Sequence, residues 1–144
     1  MPIKPENSHR YPKDWPAISR AARERAGWKC QHEGCTARQY SIGIWHRPGG
    51  GAHQWAEQYE PQATYAEARQ VAADAWWEVQ HLGGDKLTVI VLTVAHLNHQ
   101  PEDCRPENLA ALCQRHHLAY DHDHHRANAQ ATRRAKAGTL ELFE

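Results

Sequence analysis

Hydrophobic and polar positions form two kinds of pattern along this chain, a helical spacing and continuous apolar runs. Together these patterns predict a mixed α+β fold. Apolar residues recur at spacings of three and four over residues 62–82, which indicates a helix of about five turns with one face in the core. Residues 86–95 form a continuous run rich in β-branched residues, which predicts a buried strand that ends beside His96. A shorter run over 39–46 predicts another strand.

Helix start and stop signals predict two further helices. Proline suits the first turn of a helix and glycine its C-terminal end, so residues 15–27, which begin Trp-Pro and end in glycine, are predicted to be helical. Asn108 is a suitable N-cap, and a helix is predicted from there to about His122. The proline-rich residues 1–14 before the first helix are predicted to form an extended arm.

Length and composition favour one domain in a reducing compartment. The chain has 144 residues, four cysteines and no apolar run long enough to span a bilayer, so a cytoplasmic location without membrane association is expected. Cysteines in that compartment indicate metal binding before disulfides. The single domain, 1–144, is predicted to comprise an arm at 1–14, a helical insertion at 48–84, a chemically distinctive segment at 86–122 and a tail at 124–144. The oligomeric state is left open.

The charges are balanced in total but not in distribution. Seventeen Lys and Arg match seventeen Asp and Glu. Basic residues outnumber acidic ones by seven to three over 10–38 and by five to two over 115–136, whereas 52–85 has one basic and six acidic residues. Two basic ends can form one positive face for phosphate contact, and scattered solvated charge is the alternative. The candidate nucleic-acid contacts are Arg20, Arg23 and Arg115.

Four residues have the spacing of a structural zinc site. Cys30 and Cys35 flank a tight turn, and Cys113 and His116 form a C-x-x-H pair. Zinc in structural sites is tetrahedral and bound by four such ligands. The prediction is a Cys3His zinc site that ties the first helix region to the distinctive segment, with Cys104 left as a free thiol.

A second metal site is predicted beside the first. His117 and Asp121 stand four residues apart, so they share one face of a helix. A mixed imidazole and carboxylate site that is open on one side suits a catalytic divalent cation. His96 is the candidate neighbour on the open side, because a neutral imidazole can accept a proton from water near pH 7.

The stretch 86–122 resembles the HNH endonuclease family, the ββα-metal nucleases. The run HLNHQPEDCRPENL is similar to the family's H-x-D-G-N-x-x-N-x-x-x-x-N-L pattern. A histidine ends the first strand (His96), an asparagine follows after twelve residues (Asn108), and a histidine follows nine residues later (His117). The segment 14–35, with its Trp-Pro, arginine-rich helix and AGWKC, also resembles small phage-encoded members.

The resemblance implies a function and a role for each of these residues. It implies hydrolysis of DNA phosphodiester bonds in a bacterial or phage setting, with DNA contacted mainly through its backbone. His96 would be the general base, Asn108 would hold the loop and hairpin, and His117 would bind the catalytic metal. Magnesium or manganese is the expected metal, with nickel or zinc as alternatives.

The chain departs from the family pattern next to the base, and two questions stay open. Ala95 stands where the family usually has an Asp or His metal ligand, so Asn98, His99 or Asp121 is expected to supply the missing ligand. His99 is the alternative general base, although the spacing to Asn108 favours His96. The alternative function is a catalytically impaired zinc-knuckle DNA-binding module on the same scaffold.

Overall fold

The computed structural model describes residues 3–81 and 86–141 of the chain. It is a mixed α and β structure, so the predicted α+β class is confirmed. Short 3-10 turns at Pro5–Arg10, Pro48–Gly50 and Pro106–Asn108 connect the longer elements. These elements are α1 (Trp15–Arg25), β1 (Ile42–His46), β2 (Gln54–Tyr59), α2 (Tyr65–His81), β3 (Thr88–Val89), β4 (Leu92–His96), β5 (Leu109–Cys113) and α3 (Gln114–Glu141).

The strands form two small antiparallel sheets. One has the order β2-β1-β3, and α2 packs against it. The other is the hairpin of β4 and β5, whose register pairs Leu92 with Cys113 and His96 with Leu109. Helix α1 packs on this hairpin from one side, and the start of α3 contacts both of its strands. The register thus puts His96 and Cys113 at opposite ends of the hairpin.

The core is built mainly from small aliphatic residues and cysteines. One buried cluster joins Ile90, Leu92 and Leu112 to three cysteines and to Trp55. A second buries the alanine face of α2 against Ile42 and Val89. Because alanine and cysteine side chains are small, each contributes less burial free energy than a Leu or Phe. A metal that binds the cysteines would therefore stabilise this core substantially.

The predicted helix from Asn108 to His122 was wrong in its first part. Residues Leu109–Cys113 form strand β5, and α3 begins only at Gln114. The short apolar run fits either structure by composition, and its pairing with β4 decides in favour of the strand. Asn108 therefore ends a 3-10 turn before a strand and does not cap a helix.

Other boundaries also differ from prediction. The run 86–95 is interrupted between Val89 and Leu92, and its halves belong to different sheets. The insertion at 48–84 contains strand β2 as well as the predicted helix, which spans Tyr65–His81. The arm contains a short 3-10 turn, and α3 continues through the tail to Glu141. Residues 1–2 of the arm, 82–84 of the insertion and 142–144 of the tail lie outside the described residues, as does residue 85.

Gly43 lets strands β1 and β2 approach closely. A Cβ atom at this position would overlap the carbonyl oxygen of Ala56 and lie 2.9 Å from a ring carbon of Trp55. Gly43→Ala is therefore expected to lower the free energy of unfolding by about 1–3 kcal/mol through overpacking. Chemical denaturation measures this change.

The matched control is Gly138→Ala, because a Cβ at Gly138 meets no atom within 4 Å and the position lies in α3. Alanine there removes the cost of glycine in a helix, so equal or slightly higher stability is expected. A Gly43→Ala protein as stable as the Gly138→Ala protein would contradict the close approach.

Candidate functional site: a cysteine and histidine cluster beside a histidine-lined cleft

The structure brings the four predicted zinc ligands together. The ligand atoms of Cys30, Cys35, Cys113 and His116 all lie within 4.8 Å of one another. Cys113 ends β5 and His116 lies in the first turn of α3, so the strand-to-helix junction presents both. The two other cysteines lie on the loop after α1, where Gly34 adopts a positive φ of 78° in the turn between them. The predicted grouping is confirmed, and this group can hold a metal such as zinc.

The geometry of this cluster fits a tetrahedral zinc ion. Zn–S bonds of about 2.3 Å and Zn–N bonds of about 2.0–2.1 Å put neighbouring ligand atoms about 3.5–3.8 Å apart. Nδ1 of His116 lies 3.2 Å from Sγ of Cys113 and 3.6 Å from Sγ of Cys30. Hydrogen bonds from the Cys113 and Cys35 thiols lower the pKa of Cys30, whereas the hydrogen bond with Cys30 raises the pKa of Cys113. Without a metal, Cys30 is therefore the cysteine of this cluster that carries a thiolate, which is the form that binds zinc.

Contacts around the cluster fix its two halves. The backbone N–H of Gln31 donates to the carbonyl of Ala111 at 2.8 Å, and its side-chain oxygen accepts from the Ala111 N–H at 2.8 Å. These bonds join the cysteine loop to β5. His32 lies between the two cysteines, is exposed and stacks on His116 with ring centroids 3.9 Å apart.

A second site is a cleft of about 440 Å³ beside the hairpin. Four residues singled out from the sequence line this cleft together: His96, His99, His117 and Asp121. They come from the end of β4, from the loop after it and from α3. The arm also lines the cleft, to which it contributes Ile3, Lys4, Asn7, Arg10 and Tyr11.

His96 lines this cleft and is largely buried. The indole of Trp15 stacks on its ring at 4.9 Å, and Tyr11 meets it edge-on at 5.8 Å. Its Nε2 atom lies 3.7 Å from Sγ of Cys104, which sequence reasoning had treated as an unattached thiol. Burial lowers the pKa of His96 below its usual value, so the ring is neutral near pH 7.

His117 and Asp121 are in contact across one turn of α3. The Nε2 atom of His117 lies 3.0 Å from Oδ2 of Asp121, and Oδ1 of the same carboxylate lies 3.3 Å from Nδ1 of His99. Thr93 on β4 holds His117 from the other side through a short hydrogen bond to Nδ1. Burial lowers the pKa of His117, although Asp121 opposes the shift.

This second group is looser than the cysteine cluster. Within residues 3–81 and 86–141, the cysteine cluster alone brings three or more His, Cys, Asp or Glu ligand atoms within 4.8 Å of one another. The predicted ligand Asn98 is not part of the cleft wall. Its side chain instead bonds to Asp103 at 2.8 Å and to Asn108 at 2.9 Å.

Asn108 is buried and holds the loop that follows His96. Its side-chain N–H groups donate to the side chain of Asn98 and, at 2.8 Å, to the backbone carbonyl of Asp103. Its side-chain oxygen accepts from the Asn98 backbone N–H at 3.1 Å, and its own carbonyl accepts from Leu97 at 2.8 Å. Three of these bonds come from one amide, so Asn108 sets the shape of the loop beside the cleft.

The three candidate DNA-contacting arginines do not line this cleft. The guanidinium groups of Arg20 and Arg23 lie 6.0 Å and 5.5 Å from the Trp28 ring, and Arg20 also pairs with Glu24. Arg115 lies over Trp45 at 5.0 Å, next to the cysteine cluster. They are therefore spread over separate surfaces.

Sequence reasoning missed the side chains that hold the two histidines. Thr93, which holds His117, could have been found from the sequence. Strand alternation puts it on the same face as Ala95, the position at which the resembled pattern has a metal ligand. Tyr11 and Trp15 reach His96 only through tertiary packing, and the sequence gives no signal for that contact.

Comparisons with family models, curated proteins and solved structures found no match to this chain. No helix in the described part of the chain is long and apolar enough to cross a membrane.

Proposed function

We propose that this chain is a metal-dependent endonuclease of the HNH type that hydrolyses DNA phosphodiester bonds. The observation that carries the proposal is the shared cleft, in which the neutral imidazole of His96 faces the contacting pair of His117 and Asp121. A general base and metal-ligating groups that line one cleft can together hydrolyse a phosphodiester. The ββα order of β4, β5 and α3 agrees with the resemblance that suggested this function.

In this proposal the residues of the chain have separate roles. His96 accepts a proton from water as the water oxygen bonds to phosphorus, and a bridging ester oxygen leaves with its electron pair. Asn108 keeps the loop, and with it the end of β4, in a fixed position. The arginines Arg20, Arg23 and Arg115 would contact DNA phosphates outside the cleft.

The metal ligands in this proposal are His117 and Asp121, with His99 as the third. One carboxylate, that of Asp121, contacts both imidazoles, at 3.0 Å and 3.3 Å, so it could share a divalent cation with either of them. Two or three protein ligands leave other coordination positions open. Magnesium or manganese bound there would supply positive charge to the phosphate and the leaving oxygen. The cysteine cluster would hold a separate zinc ion with a structural role.

A DNA-binding module without catalysis is the second candidate, and two observations favour it. Ala95 offers no ligand where the resembled family usually has one. His96 is only 9% exposed, and its ring packs against Tyr11 and Trp15. On this alternative the hairpin and zinc site serve only as a scaffold for DNA binding.

Plasmid cleavage distinguishes the two candidates. Protein freed of loosely bound metal is supplied in turn with magnesium, manganese, nickel or zinc, and conversion of supercoiled plasmid to nicked or linear DNA is measured. The endonuclease proposal expects cleavage that depends on the added metal. Salt-sensitive DNA binding without cleavage under any metal would support the binding module instead.

A further inference from the structure

The C-terminal half of α3 has an exposed face along its whole length. Every residue from 122 to 138 is exposed, whereas the first residues of the helix pack on β4 and β5. These 17 residues span about 25 Å at the rise of an α-helix. His124 stacks on His99 with ring centroids 4.2 Å apart, and His124, His125 and Asn128 line the cleft, so one face of the segment belongs to the cleft. The opposite face is exposed and is a candidate surface for a partner.

The composition of this segment selects the kind of partner. It has no Val, Leu, Ile, Met, Phe, Tyr or Trp, so it offers no apolar anchors for a protein groove, a coiled coil or a membrane surface. It has a single acidic residue, Asp123, and four cationic ones. The four cationic residues are Arg126, Arg133, Arg134 and Lys136. None of them pairs with an acidic side chain in the described part of the chain. Exposed cations without apolar anchors are complementary to a polyanion.

The side chains are arranged on the helix in a way that fits base recognition. Arg126, Gln130 and Arg133 follow one another at spacings of four and three, so they share one face. Arg134 and Lys136 lie on the two flanks of that face. Arginine pairs with guanine and glutamine with adenine in the major groove, while flanking cations meet the phosphates. The alanines between these residues keep the helix narrow.

We propose that residues 122–138 of α3 dock in the major groove of a DNA duplex, with Arg126, Gln130 and Arg133 toward the base edges. The groove is about 12 Å wide, which admits a helix of about 10–12 Å diameter. The inference rests on the proposed function for its DNA partner but not for catalysis. Duplex RNA is a poor alternative, because its major groove is deep and too narrow for side chains to read.

The docking face and the cleft lie on different sides of α3. Arg126 follows His117 by nine residues, which is two and a half turns, so the two side chains point in opposite directions. The same spacing separates them by about 14 Å along the helix axis. The DNA segment held by the helix therefore differs from the segment in the cleft, and recognition and cleavage occur at different positions.

Binding measurements on the full chain test this proposal. Fluorescence anisotropy with a labelled DNA duplex, without added divalent metal, compares wild-type protein with the double variant Arg126→Ala/Arg133→Ala. The expected weakening is at least tenfold, because each base-contacting arginine is worth about 5- to 150-fold. Arg134→Ala/Lys136→Ala is expected to reduce the slope of log affinity against log salt by about 2.

The matched control is Arg69→Ala, which removes an exposed arginine from α2. Binding by Arg69→Ala within twofold of wild type is expected. A double variant at 126 and 133 that binds as well as Arg69→Ala would overturn the proposal, and so would equal competition by an RNA duplex of the same sequence. Cleavage that persists with an unchanged KM in the double variant would overturn docking while leaving the endonuclease intact. Lost binding in a chain that never cleaves would retain docking and reject the endonuclease.

Discussion

Replacement of His96 by alanine is expected to reduce DNA cleavage by about 100- to 10,000-fold, the usual contribution of a general base. The ring lies in the same cleft as His117 and Asp121, and burial keeps its pKa low enough for the neutral form to predominate at pH 7. Alanine leaves the metal-ligating groups in place and removes the proton acceptor, together with the ring that packs against Trp15 and Tyr11. The measurement is the initial rate of plasmid nicking under the most active metal.

His99→Ala is the matched comparison, because His99 was the alternative base. Its Nδ1 atom contacts Asp121, so we expect the variant to need more metal but to regain most of its rate at saturating metal. A loss that metal does not restore in His99→Ala, together with an active His96→Ala protein, would reverse the two assignments. Unchanged zinc content and thermal midpoint in both variants exclude a folding defect.

The cysteine cluster could be predicted because its chemistry is carried by residue type. Few proteins need three thiols and an imidazole for packing alone, so the pairs at Cys30 and Cys35 and at Cys113 and His116 indicated a metal despite a gap of 78 residues between them. The fold closes that gap by bonding Gln31 to Ala111. No local pattern encodes such a pairing, so the sequence identified the ligands without showing how they meet.

The apolar run Leu109–Cys113 shows where sequence patterns were insufficient. Leu-Ala-Ala-Leu-Cys is compatible with a helix by propensity, and only the opposite strand makes it extended. The error moved the predicted start of the helix by six residues but kept His117 and Asp121 on one face, because both lie within the true helix. A pair four residues apart is insensitive to where its helix begins.

The ligands offered by the loop after His96 could not be predicted for a different reason. Asn98 was a reasonable metal ligand by residue type, yet its amide completes a network with Asn108 and Asp103. Hydrogen bonds inside a loop depend on its three-dimensional path, which single-residue chemistry does not specify. The same loop turns His99 to a positive φ of 57°, from which its ring reaches Asp121.

Loss of the cluster metal is expected to have the largest effect on stability. Cys30, Cys35 and Cys113 are 4%, 9% and 0% exposed, and they belong to one core cluster with Leu92 and Leu112. Without a metal, that core would bring three thiols and an imidazole together with only weak hydrogen bonds among them. Structural zinc sites have apparent binding free energies of about 10–16 kcal/mol in small zinc-finger peptides, and part of that is folding free energy.

Cys113→Ser is therefore expected to lose the metal and to lower the thermal midpoint by more than about 10 °C, which corresponds to roughly 3–5 kcal/mol in a domain of this size. Elemental analysis and thermal unfolding measure the two effects. Cys104→Ser makes the same chemical change outside the cluster and is expected to keep one zinc per chain and the wild-type midpoint. Equal midpoints for the two variants, or a wild-type midpoint that a strong chelator does not lower, would show that the cysteines stabilise the core as ordinary buried side chains.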